Sequence, residues 1–431
     1  MTVEATSQEA FVYGLPTVDM YRILHDFALD PASPEFKAPL NVVAHSRRLA
    51  DPDDLSIVAM NVDTPYSYCW LDLRGGPMVL TMPAVEDRRY MSAQLIDLYT
   101  YIVGYVSPRT HGIAGASVTI VGPHHAPSSD HGMDVMECPT DLCLVLIRTQ
   151  LFDEADMPNV AALQDRVYVT PLAAWPDAVA PVPPGKPLVP PSPVEVRSDP
   201  TSAFLSVLDW MLRLMPVIPD ESDVRHRLAM LGVAGNPALP FHPDSEDEEE
   251  LLAGLAAGRD EVLARMATVR SSAELFGSRA HFAGDYLSKA AGAYLGILGN
   301  SAEEYLGVGY RADANGKPFD GSTDYAITFP SGGLPPVGAF WSITVYDHAQ
   351  HLYRNELDRY VISSRHVEHM KRDDGALTIR VQHHRPIEDE VANWLPCPAG
   401  PFGLTFRTYL PGPAIRSGTW TAPPVTPIRK A

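Results

Sequence analysis

The chain has 431 residues and a formal net charge of −20, because 53 Asp and Glu side chains outnumber 33 Lys and Arg. Hydrophobic residues make up 45% of it, enough for a large buried core in two or three domains. The acidic balance and the scattered basic residues argue against nucleic acid and anionic membranes as partners. The 41 prolines argue against an all-helical fold, because helix interiors reject proline.

An amphipathic helix is predicted near the start of the chain. Apolar residues recur at helical spacing from Ser7 to Leu29, with Thr6 or Ser7 as the cap and Pro16 as a kink or break. The first residues lack the features of a secretory signal and no apolar run could cross a bilayer, so we expect a cytoplasmic protein. The four cysteines are predicted to be free thiols, with one disulfide as the alternative.

Alternation of apolar and polar residues from about residue 56 to 149 predicts a first β-rich domain. Seven prolines between Pro181 and Pro193 predict a stiff, extended connector strapped along the surface. Helical spacing then returns over residues 201–215, 221–231 and 251–298, with a break near Phe276–Gly277.

Strict alternation from Tyr325 onward predicts antiparallel sheets with one buried face and one solvent-facing polar face, the latter carrying Ser342, Thr344 and Arg407. The predicted fold is α+β and mostly β, with two sandwich or jelly-roll-like domains. We expect a helix and β-rich domain over 1–180, a connector over 181–200, a helical segment over 201–300 and a second sandwich over 301–431.

The segment from Asn61 to Trp70 is rich in groups that bind small molecules. Asn61 and Asp63 are two residues apart, and Tyr66, Tyr68 and Trp70 fall on one face of the strand that follows. A carboxamide, a carboxylate and an aromatic wall can orient and deprotonate a ligand. The alternative is an Asx turn, in which Asn61 bonds local backbone amides, followed by ordinary sheet packing.

Asp97 continues the apolar face of the strand that begins near Tyr90, so its carboxylate is predicted to be buried. A buried carboxylate has either a raised pKa, as a general base does, or a charged partner. Arg109 and Arg148 are the candidate partners for a purely structural ion pair.

Residues that bracket the turns of the second domain complete the candidate site. Arg359 could clamp a carboxylate ligand or, alternatively, join a loop to the sheet. Near pairs of histidines, such as His348 and His351, could bind metal only if the fold brought two pairs together, and surface positions are preferred for them. The predicted substrate-binding residues are Asn61, Tyr68, Gln94, Tyr99, Trp341, Tyr346, Arg359 and Trp394.

Motifs in both halves of the chain resemble two families of bacterial proteins. The first half carries Asn61-x-Asp63-Thr64-x-Tyr66, Asp87–Arg88–Arg89–Tyr90 and Gln94-x-x-Asp97; the second half carries Leu334–Pro335–Pro336, Ala339–Phe340–Trp341–Ser342 and Asn393–Trp394–Leu395–Pro396. The chain is similar to proteins that pair domain-of-unknown-function family twelve-fifty-four with family twelve-fourteen. The resemblance implies two β-sandwich-type domains with helices between them and carries over no catalytic residue.

These observations lead to a cytoplasmic enzyme that acts on a small organic molecule by acid/base chemistry, such as hydrolysis, elimination or isomerisation. Asp97 or Asp63 is the predicted base and Tyr66 the predicted acid, in a site between the two β domains. No cofactor and no metal are expected, nucleotide-binding motifs being absent, and a homo-oligomer is left open. The alternatives are a non-catalytic binding protein for a metabolite or carbohydrate, and a metal-dependent oxygenase with histidine ligands.

Overall fold

The computed structural model of the chain describes residues 2–55, 59–127, 132–176, 187–242 and 247–428. The fold is α+β, with two β-sandwiches and a layer of helices, as the sequence predicts. Within the described residues, no helix is long and apolar enough to cross a membrane.

The N-terminal sandwich has one sheet in the order β1-β2-β8-β4-β5 and a second in the order β7-β6-β3-β9. Its strands are β1 (Ala44–His45), β2 (Tyr66–Asp72), β3 (Met78–Met82), β4 (Met91–Asp97), β5 (Ile102–Val106), β6 (Ala116–Val121), β7 (Asp134–Glu137), β8 (Leu142–Thr149) and β9 (Tyr168–Pro171). Short helices α2 (Pro108–His111) and α3 (Met157–Gln164) lie between strands. Alternate residues such as Met91, Ala93 and Leu95 fill the core between the sheets.

The C-terminal sandwich has one sheet in the order β10-β17-β12-β13 and another in the order β14-β15-β11-β18, with β16 beside β15. Its strands are β10 (Tyr305–Tyr310), β11 (Tyr325–Phe329), β12 (Trp341–Asp347), β13 (Val361–Ser363), β14 (Arg372–Asp373), β15 (Ala376–Gln382), β16 (Trp394–Pro396), β17 (Phe402–Tyr409) and β18 (Val425–Pro427). A short helix, α9 (Pro413–Arg416), precedes β18.

The helical layer covers the outer face of the first sheet, where Leu142, Leu144 and Leu146 of β8 join its core. Its helices are α1 (Val3–Leu24), α4 (Ala203–Leu212), α5 (Ser222–Met230), α6 (Glu248–Met266), α7 (Arg279–Phe282) and α8 (Tyr286–Gly296). The predicted break at Phe276–Gly277 falls between α6 and α7. At Gly254 of α6, a Cβ would come within 2.1 Å of the Glu4 carbonyl oxygen, so only glycine permits this approach of α6 to α1.

The opening helix differs from its prediction in both its start and its course. The N-cap is Thr2, whose hydroxyl accepts a hydrogen bond from the Ala5 amide at 3.2 Å, rather than Thr6 or Ser7. The helix continues through Pro16 to Leu24, so the proline does not break it. Burial of most of α1 among the other helices compensates for the backbone hydrogen bond that the proline removes.

Residues 187–200 of the predicted connector, 181–200, lie within the described residues. Residues 177–186 fall outside them, while 187–200 form neither helix nor strand. The carbonyl of Pro191 accepts a hydrogen bond from Tyr21 of α1, and that of Val189 accepts one from Trp210 of α4 at 3.0 Å. The described part therefore contacts helices α1 and α4 without itself forming helix or strand.

The polar faces of both sheets of the second sandwich are predicted to face solvent. This prediction is correct for the sheet that contains β15 and wrong for the sheet that contains β12 and β17. Thr378 and Arg380 of β15 are partly exposed, but Ser342, Thr344 and Arg407 are buried. The N-terminal domain covers the face that carries Ser342, Thr344 and Arg407. At this contact the Ser342 hydroxyl donates to Asp63 Oδ2 at 2.6 Å. Alternation identifies the residues that share a face but not what covers that face.

Candidate functional site

A cavity of about 400 Å³ lies where the two sandwiches meet the helical layer. The N-terminal sandwich lines it with Tyr66 and Tyr68 of β2 and with Leu146 and Arg148 of β8. The C-terminal sandwich lines it with residues of β10 and β17, and the ends of α6 and α8 complete the wall. All three parts of the chain must therefore be in place to form it.

Strand β10 shows why space remains between the sandwiches. Its alternate positions Tyr305, Gly307 and Gly309, and then Arg311 beyond its end, all line the cavity. A Cβ at Gly309 would meet no atom within 4 Å, so this glycine leaves open space, whereas a Cβ at Gly307 would come within 2.4 Å of the Tyr305 hydroxyl, which occupies that position. Gly309 and Arg311 are exposed, which places them at the mouth of the cavity.

Arg148 lines the cavity from the end of a strand whose residues are all buried. Its guanidinium donates to Gln94 Oε1 at 2.6 Å, to Asn300 Oδ1 at 3.1 Å and to the Leu298 carbonyl at 2.7 Å. These bonds use three of the five N–H donors of an arginine. Within the described residues, Arg148 has no carboxylate within 4.0 Å, so its charge is held by neutral groups.

Arg407 of β17 reaches the same cavity from the other sandwich. It donates to Thr344 Oγ1 at 2.9 Å, to the Ala59 carbonyl at 2.8 Å and to the Tyr346 hydroxyl at 2.7 Å. Like Arg148 it is only 4% exposed, and it forms no ion pair with any described residue. Each guanidinium thus has two N–H donors without a partner in the described part of the chain.

The cavity is basic although the chain as a whole is acidic. Four arginines line it, namely Arg148, Arg270, Arg311 and Arg407, and none of the described lining residues is Asp, Glu, His, Lys or Cys. A wall of one charge sign beside apolar walls concentrates ligands of the opposite sign. The geometry therefore favours an anion.

Asn61 forms the turn that orients the aromatic wall. Its side-chain oxygen accepts hydrogen bonds from the amides of Asp63 at 2.7 Å and Thr64 at 3.1 Å, which is the Asx turn foreseen as the alternative. Its amide nitrogen donates to the Tyr66 hydroxyl at 2.6 Å. Because that hydroxyl oxygen accepts from Asn61, its own proton is free to point elsewhere.

Of the predicted site residues, Asn61, Tyr66 and Tyr68 line the cavity. Two more support its arginines, since Gln94 accepts from Arg148 and Tyr346 accepts from Arg407. The predicted residues outside the lining are Asp63, Gln94, Asp97, Tyr99, Trp341, Tyr346, Arg359 and Trp394. The two predicted bases, Asp63 and Asp97, therefore lie outside this cavity.

The predicted residues of the second domain have structural positions. Trp341 packs with Phe329 and Phe406 in the sandwich core, and the Trp394 indole donates to the Gln382 carbonyl at 2.8 Å. Arg359 donates to the carbonyls of Val391 at 2.6 Å and Trp394 at 2.9 Å, so it joins a loop to the sheet. This was the alternative to its role as a ligand clamp.

Asp63 links the domains instead of facing the cavity. One carboxylate oxygen accepts from Ser342, and the other is buried without a hydrogen-bond partner within the described ranges. Burial raises the pKa of Asp63, while the charges of Arg365 and Arg407 oppose the rise.

Asp97 belongs to a buried ionic cluster between the N-terminal sandwich and the helical layer. Its Oδ1 accepts from the Tyr101 amide at 2.8 Å, and its Oδ2 lies 3.6 Å from Arg279, which also contacts the buried Glu221. Arg279 replaces both predicted partners, because Arg109 pairs with Glu304 at 2.7 Å and Arg148 bonds Gln94. Tyr99 lies in the same cluster, under the Arg279 guanidinium.

The pKa of Asp97 gives a pH-dependent prediction. Burial raises it from 3.8 to about 7, so this carboxyl contributes most to stability when protonated, and its contribution is lost as the pH rises through 7. The free energy of unfolding of wild type minus that of Asp97→Asn is therefore expected to fall between pH 4 and pH 7. Urea unfolding of both proteins across this range measures it; a difference that rises with pH would contradict the burial argument.

The histidine pairs do not converge in the described part of the chain. There, no group of three His, Cys, Asp or Glu side chains is placed to hold a metal ion. His383, for example, bonds the Cys397 carbonyl at 2.9 Å, and His366 bonds the Ser363 amide at 3.0 Å.

Comparison with known families divides the chain at the same places as the structure. Residues 40–171 match the model described as "Protein of unknown function (DUF1254)", and residues 304–413 match "Protein of unknown function (DUF1214)". The chain belongs to the proteins that pair these two domains. Arg148 comes from the DUF1254 domain and Arg407 from the DUF1214 domain, so the cavity needs the pair.

One solved structure supports the fold of this DUF1254–DUF1214 protein. The VPA0106 protein from Vibrio parahaemolyticus matches with a TM-score of 0.77 and 22% identity, covering 99% of this chain and 100% of its own. A putative uncharacterized protein from Burkholderia cenocepacia matches with a TM-score of 0.45 and 11% identity, over 97% of this chain and 88% of its own. No curated protein gives a significant match.

Proposed function

We propose that this DUF1254–DUF1214 protein binds a small organic anion in the cavity between its domains. The observation that carries the proposal is the pair Arg148 and Arg407, which are buried, face one cavity and have only neutral hydrogen-bond partners within the described residues. An arginine keeps its charge at all accessible pH values, and a buried charge costs several kcal/mol unless an opposite charge compensates it. A carboxylate or another oxyanion would supply that charge and accept the remaining donors.

Arg89 is a buried arginine with a structural role, and its partners can be compared with those of Arg148 and Arg407. It is as deeply buried as Arg148, but both of its terminal nitrogens bond the Asp156 carboxylate at 2.8 Å. The fold itself supplies the carboxylate at Arg89, whereas the buried Arg225, which does not line the cavity, bonds only the Tyr99 hydroxyl and the carbonyls of Met215 and Leu212 in the described part of the chain. Arg148 and Arg407 line the cavity and have no carboxylate within 4.0 Å among the described residues, which supports a carboxylate that comes from a ligand.

The lining favours binding over catalysis by a carboxylate base. Asp63 and Asp97, the two predicted bases, lie outside it. Turnover is the second candidate, and it is favoured by one observation: the Tyr66 hydroxyl is oriented by Asn61 and could donate its proton to a bound ligand. In this scheme a tyrosine, rather than an aspartate, would act on the ligand.

Titration calorimetry with matched small molecules tests the proposal. A carboxylic acid is expected to bind at neutral pH at least tenfold more tightly than the amide of the same skeleton, because only the acid carries charge for the two arginines. Equal affinities, or no binding of any acid by folded protein, would contradict it. Mass spectrometry of the titrated mixture separates the two candidates: unchanged acid indicates binding alone, and a new mass indicates turnover.

We further propose that binding takes place in the cytoplasm. Cys69, Cys138, Cys143 and Cys397 are all buried and free, which suits a reducing compartment.

A further inference from the structure

We infer that the anion is amphipathic, with an oxyanion head at the two arginines and an apolar body against the helical layer. This inference rests on the proposed function and adds the chemical class of the ligand.

The apolar wall of the cavity comes from the end of α6, the loop after it and the end of α8. Its side chains are aliphatic or aromatic, and they are Met266, Val269, Leu275, Phe276, Leu295, Ile297 and Leu298. Five of them, all except Leu275 and Ile297, are only partly buried. Apolar surface that faces a cavity gains roughly 25 cal/mol per Å² when another apolar group covers it. These side chains therefore present a surface that an apolar ligand body would cover.

The apolar wall is continuous with the basic end of the cavity. Leu146 lies two residues before Arg148 on the same face of β8, and both line the cavity. The carbonyl of Leu298 accepts a hydrogen bond from Arg148 at 2.7 Å, so the helical wall touches the guanidinium itself. A single molecule can thus place its head on the arginine and its body on the wall.

The size of the cavity limits the ligand. A volume of about 400 Å³ is near the lower end of the range of roughly 300 to 1,000 Å³ that small-molecule sites span. The exposed Ala267 and Arg270 stand with Gly309 and Arg311 at its mouth. The ligand is therefore a small amphipathic acid and not a polymer.

A series of straight-chain carboxylates tests this inference on the full-length protein. Calorimetry with butyrate, hexanoate, octanoate and decanoate is expected to show affinity rising about fourfold for each added methylene, then levelling off when the cavity is full. The primary alcohols of the same lengths are expected to bind at least tenfold more weakly than the acids, because they lack the charge for Arg148 and Arg407.

A matched pair of variants locates the apolar body. The double variant Met266→Gln, Val269→Thr keeps side-chain size but makes the wall polar, and it is expected to flatten the chain-length series while butyrate binding is retained. The control, Val308→Thr, changes a residue of β10 that does not line the cavity, and the full series should persist. Circular dichroism checks that both variants are folded.

The outcomes distinguish this inference from the proposal beneath it. If the acids bind with affinities independent of chain length in the wild-type protein, the amphipathic ligand is wrong and the anion site stands. If no acid binds, or the alcohols bind as tightly as the acids, the proposed function itself is wrong. The acids and alcohols of different chain length are measured on wild-type protein. The proposed anion site and the amphipathic ligand can therefore both be tested even if a variant fails to fold.

Discussion

Replacing Arg407 by methionine is expected to weaken binding of a small carboxylate about 100-fold while the protein stays folded. The loss is expected because the variant lacks the Arg407 guanidinium, which has two N–H donors free for a ligand. Hydrogen bonds to charged groups contribute about 1.5–3 kcal/mol each. Methionine is unbranched, apolar and similar in length, so it fills the same space, and removing a buried charge that has no described carboxylate within 4.0 Å offsets part of the cost of losing the bonds to Thr344, Ala59 and Tyr346. Calorimetry for binding and thermal unfolding for stability measure the two effects.

Two controls make the result specific to the site. Arg354→Met removes a surface arginine whose side chain is 63% exposed, and wild-type affinity is expected. Arg407→Lys keeps the charge but not the fork, so its affinity should lie between those of wild type and Arg407→Met. Binding by Arg407→Met within threefold of wild type would show that the guanidinium does not hold the anion.

Replacing Arg279 by methionine is expected to lower the free energy of unfolding by about 3 kcal/mol at pH 8. This arginine lies between the carboxylates of Asp97 and Glu221, both of whose side chains are 1% exposed. Its removal leaves these two buried carboxylates with Lys289 as the remaining buried cation that interacts with both, and breaking a buried ion pair typically costs about 3–5 kcal/mol. The lower figure applies because 23% of the Arg279 side chain is exposed.

The cost of Arg279→Met is also expected to depend on pH. Burial places the pKa of Asp97 at about 7, so lowering the pH to 5 protonates Asp97 and removes one of the charges left unpaired. The variant should therefore be less destabilised at pH 5 than at pH 8. The control Arg385→Met, on the surface beside Glu356 and Glu388, should cost less than about 0.5 kcal/mol. A cost below 1 kcal/mol for Arg279→Met would mean that the cluster does not fix the helices to the sandwich.

The fold could be predicted because its signals are local. Period-two alternation in segments such as Met91–Asp97 and Phe402–Tyr409 follows directly from the strand geometry. Pro16 does not break the helix, because the burial that outweighs its local backbone penalty comes from helices far along the chain. The resemblance of the two halves to known families correctly indicated the pairing of the two domains.

The candidate site was predicted only in part, because its parts come from three distant segments. Asn61, Tyr66 and Tyr68 were found, since aromatic residues after an Asn-x-Asp turn form a compact pattern. Arg407 was assigned to solvent because alternation does not reveal that another domain covers the face. Arg148 could have been identified from the sequence, because it is a charged residue near the end of an otherwise apolar strand. The sequence analysis names it only as a candidate ion-pair partner of Asp97. The sequence does not predict the apolar wall that the helices contribute to the cavity, because apolar residues in helices usually indicate a buried core.

We propose above that Arg148 and Arg407 together hold the oxyanion of an organic ligand. A crystal structure of the protein with a bromine-substituted straight-chain carboxylate would show this contact, since anomalous scattering locates the bromine independently. We expect carboxylate oxygens within about 3 Å of both guanidiniums and bromine beside the apolar side chains that follow α6. A ligand ordered elsewhere on the protein, with no density at the two arginines, would overturn the proposed site.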